Sequence, residues 1–278
     1  MKNISYGLPY LGSKSKIAEE IINILPTAKY FVDLFGGGGA LSHCASYKFS
    51  DKYEKIIYNE MNTDVFNIFK DFCLGNIKKF KWLSHDEYNE YKHLNKFLFE
   101  NLILFSRYNN MNCGYLIKDE NYDLYKSIYD YIFEVENDFL NRYIYIYIKN
   151  KYKKENKYYS HLILFERFRR CLNINKTLKN KNIEFYNLSY EDVTIPEDSV
   201  IICDPPYKDT MDYRCSFNNE RFYDWCRNNK NMVFINEYSM PDDFYLVKEI
   251  KIHSIHHERI ERLYCNRVYE DYGINDLF

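Results

Sequence analysis

The run Val200-Ile201-Ile202-Cys203-Asp204-Pro205-Pro206-Tyr207 places an acid, two prolines and an aromatic ring directly after an apolar stretch. An apolar stretch of that length reads as a buried strand, and open α/β sheets bind their ligands beyond the carboxyl ends of such strands. A carboxylate and a backbone carbonyl at that edge can both accept hydrogen bonds from a single amino group. The chemistry that needs this is attack by an exocyclic amino group, whose lone pair is delocalised into its ring. Asp204 and the carbonyl of Pro205 would draw the nitrogen toward tetrahedral geometry and aim its lone pair at a sulfonium methyl. Pro205 and Pro206 stiffen the loop, so the carbonyl is oriented in advance. Tyr207 offers a face on which a base taken out of its stack can rest, worth about 1–3 kcal/mol. As a bare tetrapeptide the motif is also an ordinary turn, and its place at a strand end argues for the catalytic reading.

A second group supports it. Asp33-Leu34-Phe35-Gly36-Gly37-Gly38-Gly39 closes an apolar run that starts at Tyr30 and precedes a helix-like stretch from Ala40. Glycine tolerates positive φ and close backbone approach, so this turn brings main chain against a ligand or against neighbouring chain. Glu60 follows about 20 residues on, where an acid at the next strand end can hold ribose hydroxyls. Together they point to an adenosine-containing cofactor without separating NAD from S-adenosylmethionine (AdoMet). The bland alternative is a tight turn and a surface acid.

Other patterns carry less. Gly7-Leu8-Pro9-Tyr10-Leu11-Gly12-Ser13-Lys14-Ser15 imitates a phosphate-binding loop, but Ser13 separates Gly12 from Lys14 and no strand precedes Gly7. His256-His257-Glu258 lacks the i, i+4 histidine spacing of a metal site. The eight cysteines show no C-x-x-C spacing, which predicts scattered reduced thiols and no metal. No apolar run of about 18 residues and no leader-like N-terminus occurs, so a soluble cytoplasmic protein without membrane contact is expected, in a bacterium or a phage-infected host cell.

The elements that must position these groups follow from the pattern. Tyr30–Leu34, Lys55–Asn59, Ile183–Phe185, Val200–Cys203 and Met232–Asn236 read as strands, and a helix with Val65, Phe66, Ile68, Phe69 and Phe72 starts after Asn62 or Thr63 as N-cap. Strand, glycine turn, helix, strand and acid make a βαβ nucleotide-binding unit. The alternation stops from about Leu74 to Asn182, where Tyr-rich helical segments such as Asp123–Phe139 dominate. The expected organisation is one α/β catalytic domain from 1–74 and 183–278, split by an inserted, mainly helical recognition domain at 75–182.

Charge supports a nucleic-acid partner for that insert. The formal net charge is −2, yet between Asn141 and Asn182 twelve Lys/Arg face two acids, Glu155 and Glu166. Tyr143, Tyr145, Tyr147, Tyr152, Tyr158 and Tyr159 are interleaved, which suits stacking and phosphate contact, although a solvated face is the commoner meaning of a charge run. Lys151, Lys153 and Lys154 are expected on phosphates. Arg107, Asn109 and Asn110 are expected to read base edges, because Arg pairs with guanine and Asn with adenine.

Taken together, Tyr10-Leu11-Gly12-Ser13-Lys14, Phe31 to Gly39, Asn59-Glu60-Met61-Asn62, Asp204 to Tyr207 and Phe234 to Pro241 resemble the Dam-like (D12 class) N6-adenine-specific DNA methyltransferases, especially short phage and prophage forms. The resemblance covers nearly the whole chain, in the family's α order of motifs. It implies a Rossmann-like AdoMet-dependent methyltransferase sheet and methylation of a flipped adenine in double-stranded DNA, with S-adenosylhomocysteine as product, no metal, and a monomer or weak dimer. It also implies Asp204, Pro205, Pro206 and Tyr207 as the catalytic loop. Tyr10, Lys14, Asp33, Phe35, Gly37, Gly39, Glu60 and Asp204 would form the AdoMet site. Tyr10 stands where the family often has Trp, Glu60 where it usually has Asp, and Ser189 where an acid often precedes the aromatic Tyr190. Only part of the family's segment is recognisable at Phe105–Tyr115, so a GATC target is not carried over. Rival readings are cytosine-N4 or RNA amino-methylation, whose loops more often lead with Ser or Asn, and a noncatalytic DNA-binding relative.

Overall fold

Runs of β-branched and aromatic residues without polar alternation belong in strands covered on both faces, and the central strands are of this kind. The computed structural model describes residues 5–10, 12–76, 83–94, 126, 159–206, 217–253 and 258–269. In it, β1 (Ala28–Asp33), β2 (Tyr53–Asn59), β3 (Ile183–Tyr186), β4 (Ser199–Cys203), β5 (Met232–Glu237), β6 (Tyr245–His253) and β7 (Glu258–Cys265) form a sheet of order β3-β2-β1-β4-β5-β7-β6. The first five run parallel, while β7 lies antiparallel between β5 and β6. This is a Rossmann-like, doubly wound sheet. Its order reverses between β1 and β4, so the crevice for a ligand opens where Asp33 and Asp204 leave their strands.

The five expected strands are all present, within two residues at either end, and each is extended by at least one residue. The antiparallel pair β6 and β7 was not expected. Helix α2 (Ala40–Lys48) starts where the glycine turn ends. Helix α3 (Thr63–Leu74) is capped by Asn62, whose Oδ1 accepts the N–H groups of Asp64 and Val65, which settles the choice between Asn62 and Thr63.

Two apolar cores cover the sheet. On one face, Phe31, Val200, Ile202, Phe234 and Leu263 pack against α1 (Ala18–Ile24) and α2. On the other, Val32, Ile57, Ile201, Val233 and Ile235 pack with Phe222, Tyr223 and Cys226 of a helix at Asn219–Asn228. Successive strand residues alternate between these cores, as a period of two requires.

The chain divides into two compact units, residues 1–7, 14–66 and 180–278, and residues 8–13 with 67–179. The second contains two described helices beyond α3. Helix α4 (His85–Leu94) opens on a reciprocal cap, with Ser84 Oγ accepting the Glu87 N–H and Glu87 Oε2 accepting the Ser84 N–H. Helix α5 (Tyr159–Leu178) buries Cys171, Ile174 and Leu178 at helical spacing. Residues 8–13 join this unit through Ser13, whose Oγ accepts a hydrogen bond from Arg170 at 2.9 Å. The segment Asp123–Phe139 lies outside the described residues except for Lys126, which is helical. No helix among the described residues is long and apolar enough to cross a membrane.

Candidate active site

The glycine turn is built from contacts that admit no side chain. Gly36 donates its N–H to the Asn59 carbonyl at 2.8 Å, and a Cβ placed on it would lie 2.2 Å from the Tyr58 ring. That ring is fully buried, and its hydroxyl donates to the Gly37 carbonyl at 2.7 Å. Gly37 (φ +47°) and Gly39 (φ +70°) both take left-handed backbone, so the turn needs glycine at these two positions. Phe35 anchors the turn on the opposite core, stacked on Tyr190 with ring centroids 5.5 Å apart and edge-on to Phe222.

Two acids flank this turn. Asp33 is buried at the end of β1, where its Oδ2 accepts the Ser42 hydroxyl (2.7 Å) and N–H (3.2 Å) from α2. Burial pushes its pKa up to about 7; the Ser42 bonds work against the shift, and the charges of Asp204 and Glu60 add to it. Glu60 is half-buried just past β2. Its Oε2 accepts the Gly37 N–H at 2.8 Å and its Oε1 the Asn62 N–H at 2.7 Å. Burial raises its carboxyl pKa against those two bonds. Glu60 therefore ties the end of β2 to the glycine turn.

Asp204 leaves β4 one strand away from Asp33. The Lys14 ammonium meets both its oxygens, at 2.7 Å to Oδ1 and 2.8 Å to Oδ2. Lys14 is 7% exposed and Asp204 21%, so the pair is largely removed from water. Lys14 also lies 3.9 Å from Glu261 Oε2, on β7. The resemblance places Lys14 at the cofactor, and the structure shows its ammonium on the Asp204 carboxylate. Pro205 is buried and Pro206 half-buried beside it.

The remaining expected residues are placed as follows. Tyr10 is half-buried in the second unit, and its carbonyl accepts the Ser13 N–H at 3.2 Å. Tyr207, Arg107, Asn109, Asn110, Lys151, Lys153 and Lys154 lie outside the described residues, as do His256 and His257. Of the basic run, Arg167 is buried on α5 and Arg170 half-buried there, and burial lowers both guanidinium pKa values to about 10. Arg169 is exposed and paired with Glu166 at 2.7 Å. The charge count therefore overstates what this run can offer a phosphate backbone. Among the described residues, no group of three or more His, Cys, Asp or Glu is placed to hold a metal ion.

Several residues that shape the site have no role assigned by the motifs they stand in or near. Buried Asn59 donates to the Leu34 and Leu188 carbonyls and accepts the Leu188 N–H, joining three strand ends. Buried His43 accepts the Gly7 N–H on Nδ1 at 3.0 Å, and a Cβ on Gly7 would lie 2.5 Å from the Gly38 carbonyl oxygen. Gly7, where the loop that imitates a phosphate-binding motif begins, is thus a brace behind the glycine turn. Asn236 and Glu261 complete the polar edge.

Comparison with known proteins gives no match among curated sequences. Among solved structures, protein HI0767 of Haemophilus influenzae is 14% identical, with 90% of this chain and 94% of that one covered and a TM-score of 0.35. Two structures of the rRNA methyltransferase aviRa from Streptomyces viridochromogenes have a TM-score of 0.37. They are 10% and 12% identical, covering 92% and 93% of this chain and 85% and 87% of theirs. The family of D12 class N6 adenine-specific DNA methyltransferases matches residues 10–234, which takes in the glycine turn, the second unit and Asp204. The chain is therefore a methyltransferase, and it belongs to the D12 class N6 adenine-specific DNA methyltransferase family.

Proposed function

We propose that this protein transfers a methyl group from AdoMet to N6 of an adenine taken out of duplex DNA. The observation that carries this reading is Asp204, placed by Lys14 at the strand end that leads into Pro205 and Pro206. Each carboxylate oxygen keeps a second lone pair beside the one engaged by Lys14. Asp204 can therefore accept a hydrogen bond from the adenine amino group while staying fixed. The Pro205 carbonyl accepts the second N–H, and Tyr207 stacks on the extruded base. Asp204 keeps its negative charge close to the nitrogen as positive charge develops there, which lowers the barrier.

The residues present fit AdoMet. Gly36 lets main chain approach where a Cβ has no room, and Glu60, held by two backbone N–H groups, is placed to accept from ribose hydroxyls. Asp204 and Glu261 flank Lys14, and Asp33 lies close enough to Asp204 and Glu60 for their charges to raise its pKa, an acidic surplus suited to a ligand with a sulfonium and an ammonium group. When bound, AdoMet supplies an electrophilic methyl on a sulfur that leaves as a neutral thioether. In the insert, Lys151, Lys153 and Lys154 hold phosphates while Arg107, Asn109 and Asn110 read bases.

The test is incubation with labelled AdoMet and defined duplexes, followed by nucleoside mass spectrometry. N6-methyladenine is the expected product. Label found in N4-methylcytosine, or in RNA but never in duplex DNA, would overturn the reading.

A further inference from the structure

Asn236 lies near the end of β5 at 1% exposure, and its Nδ2 has no acceptor among the described residues. A buried amide donor without a partner is costly and rare, and a ligand that supplies the acceptor is one explanation for it. Its place in the sheet favours that explanation. Cys203↔Ile235 is the last register pair of β4 and β5, so Asn236 lies alongside Asp204. Phe234, two residues earlier, belongs to the face covered by α1 and α2, so Asn236 emerges on that face. Lys14, just before α1, reaches Asp204 from there. On β7, the partner of Asn236 is Leu263, and two residues along the same face stands Glu261, 3.9 Å from the Lys14 ammonium. Asn236 therefore sets an unpartnered donor beside the acceptor of Asp204; the family match ends at Phe234, and the resemblance at Phe234 to Pro241 assigns Asn236 no role.

We propose that Asn236 is a specificity-determining residue that donates its Nδ2–H to an acceptor ring nitrogen on the same edge of the target base as its exocyclic amino group. This rests on the amino-methylation reading above. In adenine two ring nitrogens accept beside the N6 donor, N1 on the Watson–Crick edge and N7 on the Hoogsteen edge. Asp204 and Asn236, acceptor beside donor, complement that pair. The Watson–Crick edge of guanine or thymine puts a carbonyl oxygen next to a ring N–H, which would set oxygen against Asp204 and N–H against Asn236. The pair thus admits amino bases and rejects keto bases. Cytosine shares the amino pattern, so the choice between adenine and cytosine is left to the size of the pocket.

The experiment compares wild type with Asn236→Leu, which keeps the shape and removes the donor. Both are assayed on a duplex carrying the site that wild type methylates, and on the same duplex with 1-deazaadenine or 7-deazaadenine at the target. Asn236→Leu should melt no lower than wild type, since it loses an unpartnered polar group. It should lose at least tenfold in kcat/KM on adenine. Wild type should lose about as much on one of the two analogues, which identifies the nitrogen, while Asn236→Leu treats that analogue and adenine alike. Unchanged kcat/KM in Asn236→Leu overturns the proposal. So does a lowered melting temperature with an equal loss on all three bases, which marks a packing role. If wild type methylates adenine and Asn236→Leu is unaffected, only this inference falls; if wild type leaves adenine in duplex DNA unmethylated, the amino-methylation reading falls with it.

Discussion

Replacing Lys14 with Met keeps much of the buried stem and removes the charge that holds Asp204. The ammonium meets both carboxylate oxygens within 2.8 Å and is 7% exposed. Breaking such a buried pair from one side costs about 3–5 kcal/mol, because the remaining charge is left unpaired. Asp204 is 21% exposed, so water recovers part of this, and about 3 kcal/mol remains. Because Lys14 holds Asp204 where charge develops, a loss of that size in transition-state stabilisation corresponds to roughly a hundredfold in rate. The expected loss in single-turnover methyl transfer for Lys14→Met is therefore about a hundredfold, and Asp204→Asn should lose at least as much. Because Lys14 acts through Asp204, the double variant should be little worse than Asp204→Asn alone, leaving a coupling of about 2–3 kcal/mol in the double-mutant cycle. Thermal melts of all three variants establish that they are folded. If the two losses multiply, with coupling below about 0.5 kcal/mol, Lys14 does not act through Asp204 and the reasoning fails.

Asp33 gives a pH signature in the protein without ligand. Its pKa in the folded state, about 7, lies above its ordinary 3.8, so the native state holds an extra proton between those values. Its contribution to stability is therefore largest toward pH 4 and is lost as pH rises through 7. Wild type should melt at a lower temperature at pH 8 than at pH 6, and Asp33→Asn should flatten that difference; an identical slope in both would show that another group is responsible. Gly36→Ala places a Cβ 2.2 Å from the Tyr58 ring, which has no free volume into which to retreat. It should cost about 1–3 kcal/mol of stability by overpacking and weaken AdoMet binding measured by calorimetry, and wild-type affinity would remove the turn from the cofactor site.

What the sequence makes legible is set by whether a feature is local. Phe31-Val32-Asp33 and Ile201-Ile202-Cys203 are buried on both faces, so their apolar runs announce strands and their ends announce the site. The antiparallel strands are harder to see. Tyr245–His253 carries Lys248, Glu249 and Lys251 among its apolar residues, and Glu258–Cys265 carries Glu258, Arg259, Glu261 and Arg262. One face of such strands is solvated, so charge dilutes the apolar signal. Arg167 misleads in the opposite sense: it adds to a positive count, yet α5 turns it inward. Asn236, though inside the stretch Phe234 to Pro241, and Glu261 give no sign of their place in the site for a different reason. Nothing in their neighbours in sequence indicates that register sets one beside Asp204 and brings the other to Lys14.

The same point explains why the chain can carry a large second unit without losing its chemistry. Lys14 and Asp204 are 190 residues apart, and no short stretch of chain holds them together. β1 brings two of the site's acids together, pairing with β2 on one side and β4 on the other, so that Asp33 and Asp204 end on neighbouring strands. Most of the second unit, residues 67–179, branches from the chain within α3 and rejoins it before β3. Loop-closure cost rises only with the logarithm of length, so long intervening chain at that point adds little once the sheet is formed. The acids at the strand ends are not optimised for the fold alone: Asp33 is buried close enough to Asp204 and Glu60 for their charges to raise its pKa, and Lys14 is the cation set between Asp204 and Glu261. Such an edge favours the folded state less than apolar packing would, and a ligand that brought positive charge to it would relieve the imbalance.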